Sequence, residues 1–335
     1  MENSVKINKK DLKILHELDY NARMPLSELA KKVGLSTQLV KYRLDNLFRN
    51  KIIVGTMAVV DLHRLGFFTY RIYLRFQKTS EKNELEIIEY FKKHPRCIWV
   101  VSTSGRWDLE VLFSARNPIQ VNIFLHEIKG KLGQYMKNYT ISPSMVNYHF
   151  ERAYLVGERE QKERNLWYGF EPPQEKLDEL DVRILKFLSL DARVSTQEIA
   201  RELKISFNTA KQRIAKMEGK GIIQSYRILI DLGKIGRMYY KSIITTGSFS
   251  EVDEKKMLSF CMAEPTIVYL IECFGEWDVE LEAEVNDEAE FRDIMARFRN
   301  RFAELTQNYE LLHVYKEHKL NYFPMADELL RRIDK

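Results

Sequence analysis

The chain has 335 residues, of which 45% are hydrophobic, 12% aromatic and 30% charged, with a formal net charge of +5. This composition provides for two or more packed domains and excludes a chain that is disordered throughout. The three cysteines form no C-x-x-C pair, the N-terminus lacks an apolar signal segment, and no stretch approaches the roughly 18 apolar residues of a membrane span, so we predict a soluble, cytoplasmic protein.

The sequence repeats itself at a constant offset of 170 residues. Residues 11–66 and 181–236 share 16 identities in 56 positions without a gap. The same offset then aligns two short motifs, Gly105-x-Trp107-Asp108 and Gly275-x-Trp277-Asp278. One register kept over such a distance indicates a tandem duplication of a unit of about 150 residues.

Each copy opens with three short helical patterns. The first helix begins at a pair of residues that can cap it reciprocally, Asn8 with Asp11 and Asp178 with Asp181. Gly34 permits a tight turn between a second helix at 26–32 and a third helix at 36–50, which is the helix-turn-helix arrangement. The strand-like segments that follow predict a wing at 52–54 and 58–60.

The second part of each copy alternates between strand and helix patterns. In copy one, these elements are expected at 68–76, 81–93, 97–101, 109–113, 118–129 and 139–150. Their β-α-β-β-α-β order is the ferredoxin-like pattern, and copy two repeats it over 239–318. We therefore predict an α+β fold with a winged helix-turn-helix at 1–66, a ferredoxin-like domain at 67–156, a linker at 157–175, a second winged helix-turn-helix at 176–237, a second ferredoxin-like domain at 238–320, and a tail with a short helix at 321–335.

Charge is distributed unevenly along the chain. Residues 1–66 contain 12 basic and 7 acidic side chains, and residues 176–236 contain 12 and 8. Since the whole chain has a net charge of +5, the rest of it is net negative. Basic modules bind nucleic-acid phosphates with release of counterions, so the charge pattern independently favours DNA binding by both helix-turn-helix units.

An ordered set of motifs carries a family resemblance. In copy one the motifs are Asp11-x-x-Ile14-Leu15, Asn21-Ala22-Arg23, Leu29-Ala30, Leu35-Ser36-x-x-x-Val40-x-x-Arg43-Leu44, Ile52-Ile53, Asp61-x-x-x-x-Gly66 and Gly105-Arg106-Trp107-Asp108. In copy two they include Asp191-Ala192-Arg193, Ile205-Ser206 and Gly275-Glu276-Trp277-Asp278. In these motifs and in its domain order, the chain resembles the Lrp/AsnC family of prokaryotic transcription regulators.

The resemblance implies sequence-specific binding of double-stranded DNA and self-association through the ferredoxin-like (RAM) domains, which often bind an amino-acid effector. The family's usual subunit is a single copy that dimerises. The fusion therefore suggests a pseudo-dimer within one chain, with pairing between chains in a larger ring as the alternative.

The third helix of each copy is expected to lie in the major groove, with its N-terminal residues at the base edges. The candidate DNA-binding residues are Ser36, Thr37, Gln38, Lys41, Tyr42, Arg43, Ser206, Phe207, Asn208, Lys211, Gln212 and Arg213. The two serines also suit helix caps, and the two arginines could brace their domains instead. Of the four outward positions in each copy only the lysine is shared, so we predict an operator with two unlike half-sites.

The resemblance also places a candidate effector site at the glycine-to-aspartate loop of each RAM domain. Its residues would be Ser104, Gly105, Trp107, Asp108, Gly275, Trp277 and Asp278. Asp108 could pair with an ammonium group. The alternative is a hairpin turn in which glycine supplies a positive φ and tryptophan packs inward. In the same loop Arg106 corresponds to Glu276, which allows a salt bridge across a pseudo-dimer.

The sequence predicts no catalytic residue, metal ligand set or cofactor motif, and we predict that the protein is not an enzyme. The alternating run Asp278, Glu280, Glu282 and Glu284 would share one face of a strand, as a cation site or a solvated acidic face. One enzyme alternative is siroheme decarboxylase, which resembles paired Lrp/AsnC-like units and carries an aromatic motif in a sheet strand. Asn165-Leu166-Trp167-Tyr168 is similar to that motif but falls in the predicted linker.

Overall fold

The computed structural model describes residues 7–157, 165–169, 172–247 and 250–333. Its helices are α1 (Lys9–Tyr20), α2 (Leu26–Val33), α3 (Thr37–Arg49), α4 (Glu81–Lys93), α5 (Pro118–Leu132), α6 (Glu179–Leu190), α7 (Thr196–Leu203), α8 (Phe207–Gly219), α9 (Glu251–Ala263), α10 (Glu288–Arg301) and α11 (Ala326–Ile333). Its strands are β1 (Ile53–Val60), β2 (Phe68–Phe76), β3 (Cys97–Ser104), β4 (Leu109–Ala115), β5 (Met136–His149), β6 (Leu166–Tyr168), β7 (Ile223–Ile230), β8 (Met238–Thr246), β9 (Ile267–Cys273), β10 (Val279–Val285) and β11 (Thr306–Leu320). The α+β class and the β-α-β-β-α-β order are confirmed in both copies. Among the described helices, none combines the length and the apolar character that a membrane crossing requires.

Capping boxes fix where the first helix of each copy begins. The side chain of Asn8 accepts a hydrogen bond from the backbone N–H of Asp11, whose carboxylate accepts from the N–H of Asn8. Asp178 and Asp181 repeat this box at α6. Each box satisfies two backbone donors that a helix start leaves open. Both predicted capping pairs are confirmed.

The turn after the second helix requires left-handed backbone in both copies. Gly34 supplies it in copy one with φ +69°, whereas Lys204 adopts φ +55° at the matching position. This conformation costs a residue with a side chain about 1–2 kcal/mol, because its Cβ approaches the following carbonyl oxygen. The same turn is therefore more strained in copy two than in copy one.

The segment after the third helix is one continuous strand in each copy. β1 and β7 pair with each other in antiparallel orientation, from Ile53 opposite Ile230 to Val60 opposite Ile223. The hairpin wing that we expected within each copy is not formed, since its two strands come from different copies. Residues 57–60 are all buried, and a strand laid across the other copy removes this apolar run from water, which an exposed wing would not do.

Two arginines join the helix-turn-helix units reciprocally. Arg23 donates from Nη1 to the carbonyl oxygens of Ala192 and Val194, at 2.5 and 2.9 Å. Arg193 donates to the carbonyl oxygen of Ala22 at 2.6 Å. The two arginines occupy equivalent positions of the repeat. Together with the β1–β7 pair, these contacts hold the two units as one pseudo-symmetric body.

The ferredoxin-like sheets of the two copies join into one closed barrel. Its strand order is β2-β4-β3-β11-β8-β10-β9-β5, and β5 pairs again with β2. The seams between the copies are the antiparallel pairs β3–β11 and β5–β9. The chain is therefore an internal pseudo-dimer, which decides between the two arrangements that the sequence left open. An eight-stranded barrel has an interior just wide enough for packed side chains or one small ligand.

Side chains alternate between the outside and the inside of this barrel. The outer faces form two apolar cores, one with α4 and α5 and the other with α9 and α10. Tyr73, Trp107 and Trp277 pack together in the interior, where Arg71 and Lys241 are also buried. The interior is therefore partly aromatic and partly charged.

Part of the linker between the copies is a strand of the sheet. β6 pairs with the end of β5, with Leu166 opposite His149 and Tyr168 opposite Asn147. This edge of β5 is open because β2 pairs with it only as far as Ser144. Three residues of the Asn165-Leu166-Trp167-Tyr168 motif, Leu166–Tyr168, thus form a sheet strand within the predicted linker, which the sequence pattern did not reveal. Positions 158–164, 170 and 171 of the linker lie outside the described residues.

Candidate nucleic-acid interface

The third helix of each copy buries one face and leaves its N-terminal turns open. The packed residues are Val40, Leu44 and Leu47 in α3 and Ala210, Ile214 and Met217 in α8. The side chains exposed on the first turns are Thr37, Gln38, Lys41, Tyr42, Phe207, Asn208, Lys211 and Gln212. These eight residues, four on each helix, are referred to below as the recognition surfaces. All of them point outward, as the helical spacing predicts.

A serine caps the start of each recognition helix. The Oγ of Ser36 accepts from the N–H of Leu39 at 3.3 Å, and the Oγ of Ser206 accepts from the N–H of Thr209 at 3.0 Å. The other N–H groups of the first turn and the positive end of the helix dipole remain available to an anion. Such a helix start can bind a DNA phosphate through its backbone N–H groups, while the serine stabilises the helix and does not itself contact the DNA.

Two of the candidate arginines are engaged within their own helix-turn-helix units. Arg43 donates to Asp11 at 2.9 Å. Arg213 donates to Asp181 at 3.0 Å and also contacts Asp178. These ion pairs tie the third helix to the start of the first, so the bracing role is the one that the geometry supports for both arginines.

The lysine shared by the two recognition surfaces is available for a phosphate or a base. Lys41 and Lys211 are both exposed, and neither takes part in an ion pair among the described residues. Exposed aromatic rings lie close by on each helix, with 62% of Tyr42 and 42% of Phe207 accessible. A free cation beside an apolar ring at a helix start can contact both the backbone and the methyl group of thymine.

The aspartates of the glycine-to-aspartate loops are occupied by contacts that hold the turns. The carboxylate of Asp108 accepts from Arg75 at 2.8 Å and from the N–H of Phe76 at 2.7 Å. The carboxylate of Asp278 accepts from the N–H and the hydroxyl of Thr246, at 2.7 and 2.9 Å. Each carboxylate therefore ties its turn to the end of a neighbouring strand, β2 in copy one and β8 in copy two.

The tryptophans of the same loops point into the barrel. Trp107 and Trp277 are fully buried, and Trp277 donates from Nε1 to Glu280 at 3.0 Å. Gly105 and Gly275 have φ values of +128° and +126°, the conformation for which glycine is required. Together with the occupied aspartates, this geometry supports hairpin turns rather than effector sites at the seven candidate residues.

The salt bridge expected across the repeat is present. Arg106 contacts Glu276 and donates to Glu310 at 2.8 Å. Both acids belong to copy two, so the pair links the loops across the pseudo-dimer. Because all three side chains are partly exposed, the contribution of these pairs to stability is modest.

The acidic run of β10 lies inside the barrel and is ion-paired. Glu280, Glu282 and Glu284 are all buried, so the expectation of a solvated acidic face was wrong. The ammonium group of Lys241 lies 2.9 Å from Glu280 and 3.0 Å from Glu282, where a cation between the carboxylates would have to sit. Although burial opposes ionisation, Lys241 and Arg71 lower the pKa of Glu280 to about 2.

A cavity of about 720 Å³ lies between the helix-turn-helix pair and the barrel. β1 and β7 form one of its walls, and barrel strands with Tyr168 of β6 form the others. Its mouth is marked by the exposed side chains of Val54, Met238 and Tyr315. None of the seven candidate effector residues lines it.

Sequence reasoning missed this cavity because its walls come from both copies and from distant segments. One signal was available, since Arg227 stands next to the apolar run Ile228-Leu229-Ile230 and its repeat equivalent is Met57. No single sequence motif contains the residues that line the cavity.

Comparison with known proteins places the chain in a family. The family model for the AsnC-type helix-turn-helix domain matches residues 7–47 and 177–218 of this chain. The chain is similar to the HTH-type transcriptional regulator LysM of Saccharolobus solfataricus, with 30% identity over 40% of this chain and 92% of that protein. An uncharacterized HTH-type transcriptional regulator of Pyrococcus furiosus is 30% identical over 39% of this chain and 84% of its own length. LrpC of Bacillus subtilis is 29% identical over 30% of this chain and 68% of its length.

Among solved structures, the siroheme decarboxylase NirDL is similar over the whole length, with a TM-score of 0.62, 14% identity and coverage of 98% of both chains. NirDL has also been solved in complex with an iron-uroporphyrin III analogue. At this identity the likeness establishes a shared fold alone. The sequence relatives each correspond to about one copy, and the helix-turn-helix model matches at both copies. The chain therefore belongs to the Lrp/AsnC family, as a tandem duplication of the family's unit.

Proposed function

We propose that this protein is a cytoplasmic transcription regulator that binds double-stranded DNA in a sequence-specific manner. The observation that carries the proposal is the presentation of both recognition surfaces on one body. Each has a capped helix start and an exposed lysine, and the Arg23 and Arg193 contacts with the β1–β7 pair fix one surface relative to the other. The net positive charge of both units supports attraction to the DNA backbone.

The two recognition surfaces differ in chemistry, which favours an operator with unlike half-sites. The differing pairs are Thr37 and Phe207, Gln38 and Asn208, and Tyr42 and Gln212. Glutamine and asparagine can each pair with adenine, but their reach differs by one methylene, and lysine can contact guanine or a phosphate. Because base contacts carry the sequence information, different side chains at equivalent places should select different bases.

A salt titration of DNA binding tests the role of the shared lysine. Lys41→Ala and Lys211→Ala should each weaken binding to a fragment selected by the wild-type protein and lower the slope of log affinity against log salt by about 1. Lys255→Ala, which removes an exposed lysine from α9 on the acidic body, is the matched control and should leave the slope unchanged. A wild-type slope in both variants would contradict the groove assignment.

An amino-acid effector at the glycine-to-aspartate loops is not part of this proposal, because turn contacts occupy both aspartates. The cavity instead raises a second candidate function, that of a tetrapyrrole enzyme similar to siroheme decarboxylase. Two observations favour it: Tyr168 of the β6 motif lines the cavity, and the whole chain shares the fold of NirDL.

Three assays together separate the two functions: an absorbance titration with iron uroporphyrin III, a decarboxylation assay with siroheme, and a test of which genomic DNA fragments the protein retains. Stoichiometric binding with release of carbon dioxide from siroheme, and no retention of genomic DNA fragments, would support the enzyme. Retention of a defined set of DNA fragments without decarboxylation would support the regulator.

A further inference from the structure

The cavity has a polar end whose residues are not repeated at the equivalent positions of the other copy. Its polar residues His149, Asn147, Arg152 and Arg227 correspond across the repeat to Lys319, Glu317, Tyr322 and Met57, in that order. In a homodimer of single copies, each lining residue would appear at both ends. The duplication has removed that constraint, and the two ends of this cavity now differ in chemistry.

Buried hydrogen-bonding groups face the cavity without a partner. His149 is 3% exposed and Asn147 is 5% exposed, and both line the cavity. Within the described part of the chain, neither ring nitrogen of His149 nor Nδ2 of Asn147 has a hydrogen-bond partner. A buried polar group without a partner is costly and rare in native proteins. A ligand that brings acceptor oxygens would satisfy these donors.

The acids beside this polar end are already matched by cations. Glu284 accepts two hydrogen bonds from Arg152, both at 2.8 Å, and Glu282 lies 3.0 Å from the ammonium group of Lys241. Burial, together with the guanidinium groups of Arg227 and Arg152, holds the pKa of His149 well below its usual value. Its ring is therefore neutral and supplies one donor and one acceptor. Glu317, a further acid of the lining, accepts a hydrogen bond from Nε1 of Trp99 at 2.6 Å. With these acids engaged and donors left open, the site favours an anion over a cation.

Aromatic rings cover the walls next to the polar end. The ring of His149 stacks on Tyr269 with 4.1 Å between ring centroids, and Trp99 lies against Tyr239 at 6.1 Å. The volume of about 720 Å³ falls within the range of about 300–1,000 Å³ that is typical of sites for drug-sized ligands. The volume and the aromatic lining suit a flat, unsaturated molecule considerably larger than a free amino acid.

Charged contacts connect the polar end to the recognition helix of copy one. Arg152 and Arg227 both donate to the buried carboxylate of Asp19, at 2.5 and 2.9 Å. Asp19 lies in the last turn of α1, the helix that Arg43 ties to α3. The repeat equivalent of Asp19 is Ser189, so copy two has no such carboxylate at this place.

We propose that the cavity binds a planar organic anion, with its carboxylate at His149, Asn147 and Arg227, and that binding alters DNA affinity through Asp19. A carboxylate held by Arg227 competes with Asp19 for the same guanidinium, which loosens α1 from β7 in copy one alone. Binding of the anion does not depend on the proposed regulator function, whereas the effect on DNA affinity rests on it.

The binding step is tested on the full chain with naphthalene-2,6-dicarboxylate, a flat fluorescent dianion, against the neutral naphthalene-2,6-dimethanol. The dicarboxylate should bind at least about tenfold more tightly than the diol, because both can accept hydrogen bonds but only the dicarboxylate brings a negative charge to the guanidinium group and the buried donors. His149→Phe keeps the stacking on Tyr269 but removes the ring nitrogens, and it should weaken dicarboxylate binding about tenfold.

Asn147→Leu is the second variant and should weaken dicarboxylate binding in the same direction. Tyr315→Phe, at the exposed mouth, is the matched control and should bind like the wild type. Equal affinity for the two compounds, or wild-type affinity in both donor variants, would overturn the site.

The coupling step is tested by measuring operator affinity with and without saturating dicarboxylate. The wild type should change its DNA affinity at least about fivefold, and Asp19→Asn should not respond. Because coupling is reciprocal, DNA must change the dicarboxylate affinity of the wild type by the same factor, and this measurement needs no variant. Dicarboxylate binding without any change in DNA affinity would overturn the coupling. Failure of the unliganded wild type to bind any DNA would instead contradict the proposed function.

Discussion

Replacing Gly105 with alanine should destabilise the pseudo-dimer where the loop of copy one meets β11. Gly105 has φ +128°, and a Cβ there would lie 2.9 Å from the carbonyl oxygen of Leu311 and 3.0 Å from Cδ2 of Leu312. A left-handed conformation costs a residue with a side chain about 1–2 kcal/mol. The contact with a backbone oxygen adds to this cost, because the strand itself must move. We expect a loss of at least about 2 kcal/mol in the free energy of unfolding.

Gly130→Ala is the matched control for this substitution. Gly130 lies within α5 and, in the described structure, its added Cβ would meet no atom within 4 Å. Alanine in a helix interior should raise stability by about 0.5–1 kcal/mol. Urea unfolding followed by circular dichroism would give both values from midpoints at constant slope. A wild-type midpoint for Gly105→Ala would refute the close approach of this loop to β11.

Two further predictions concern stability. Lys204→Gly should raise the free energy of unfolding and Gly34→Lys should lower it, each by roughly 1 kcal/mol, because both residues adopt a left-handed backbone conformation. Wild-type midpoints of urea unfolding for both variants would contradict the strain at this turn. Burial, and the nearby carboxylate of Glu254, raise the pKa of Glu272 to about 7. The folded state then retains a proton that the unfolded state releases above about pH 4.5. Stability should therefore fall as the pH rises from about 4.5 through 7. Glu272→Gln should remove this part of the pH dependence, as measured by thermal unfolding. Identical pH profiles for the wild type and the variant would contradict the raised pKa of Glu272.

Local signals made much of the fold predictable from the sequence. The capping boxes at Asn8 and Asp178 depend on residues three positions apart, and both formed as expected. The exposed side of α3 followed from the spacing of Val40, Leu44 and Leu47. In each case the deciding interactions lie within one or two helical turns, where periodicity and capping dominate.

Pairing between the copies could not be predicted, because it depends on contacts between distant segments. The apolar run at 57–60 suits a hairpin or a strand added to another copy, and only the buried partner β7 decides between them. The two-residue alternation of β10 placed Glu280 and Glu282 on one face but could not say that this face is the inside of a barrel. β6 was missed for a similar reason, since three residues form a strand only when a neighbouring edge is open.

The two unlike recognition surfaces, held on one rigid body, should read a single operator. Selecting the sequences that the full chain binds from a random pool of duplex DNA tests it most directly. We expect a consensus with two different half-sites, separated by about one helical turn or a multiple of it. A symmetric consensus would contradict the unlike surfaces, and no enrichment of any sequence would contradict DNA recognition itself.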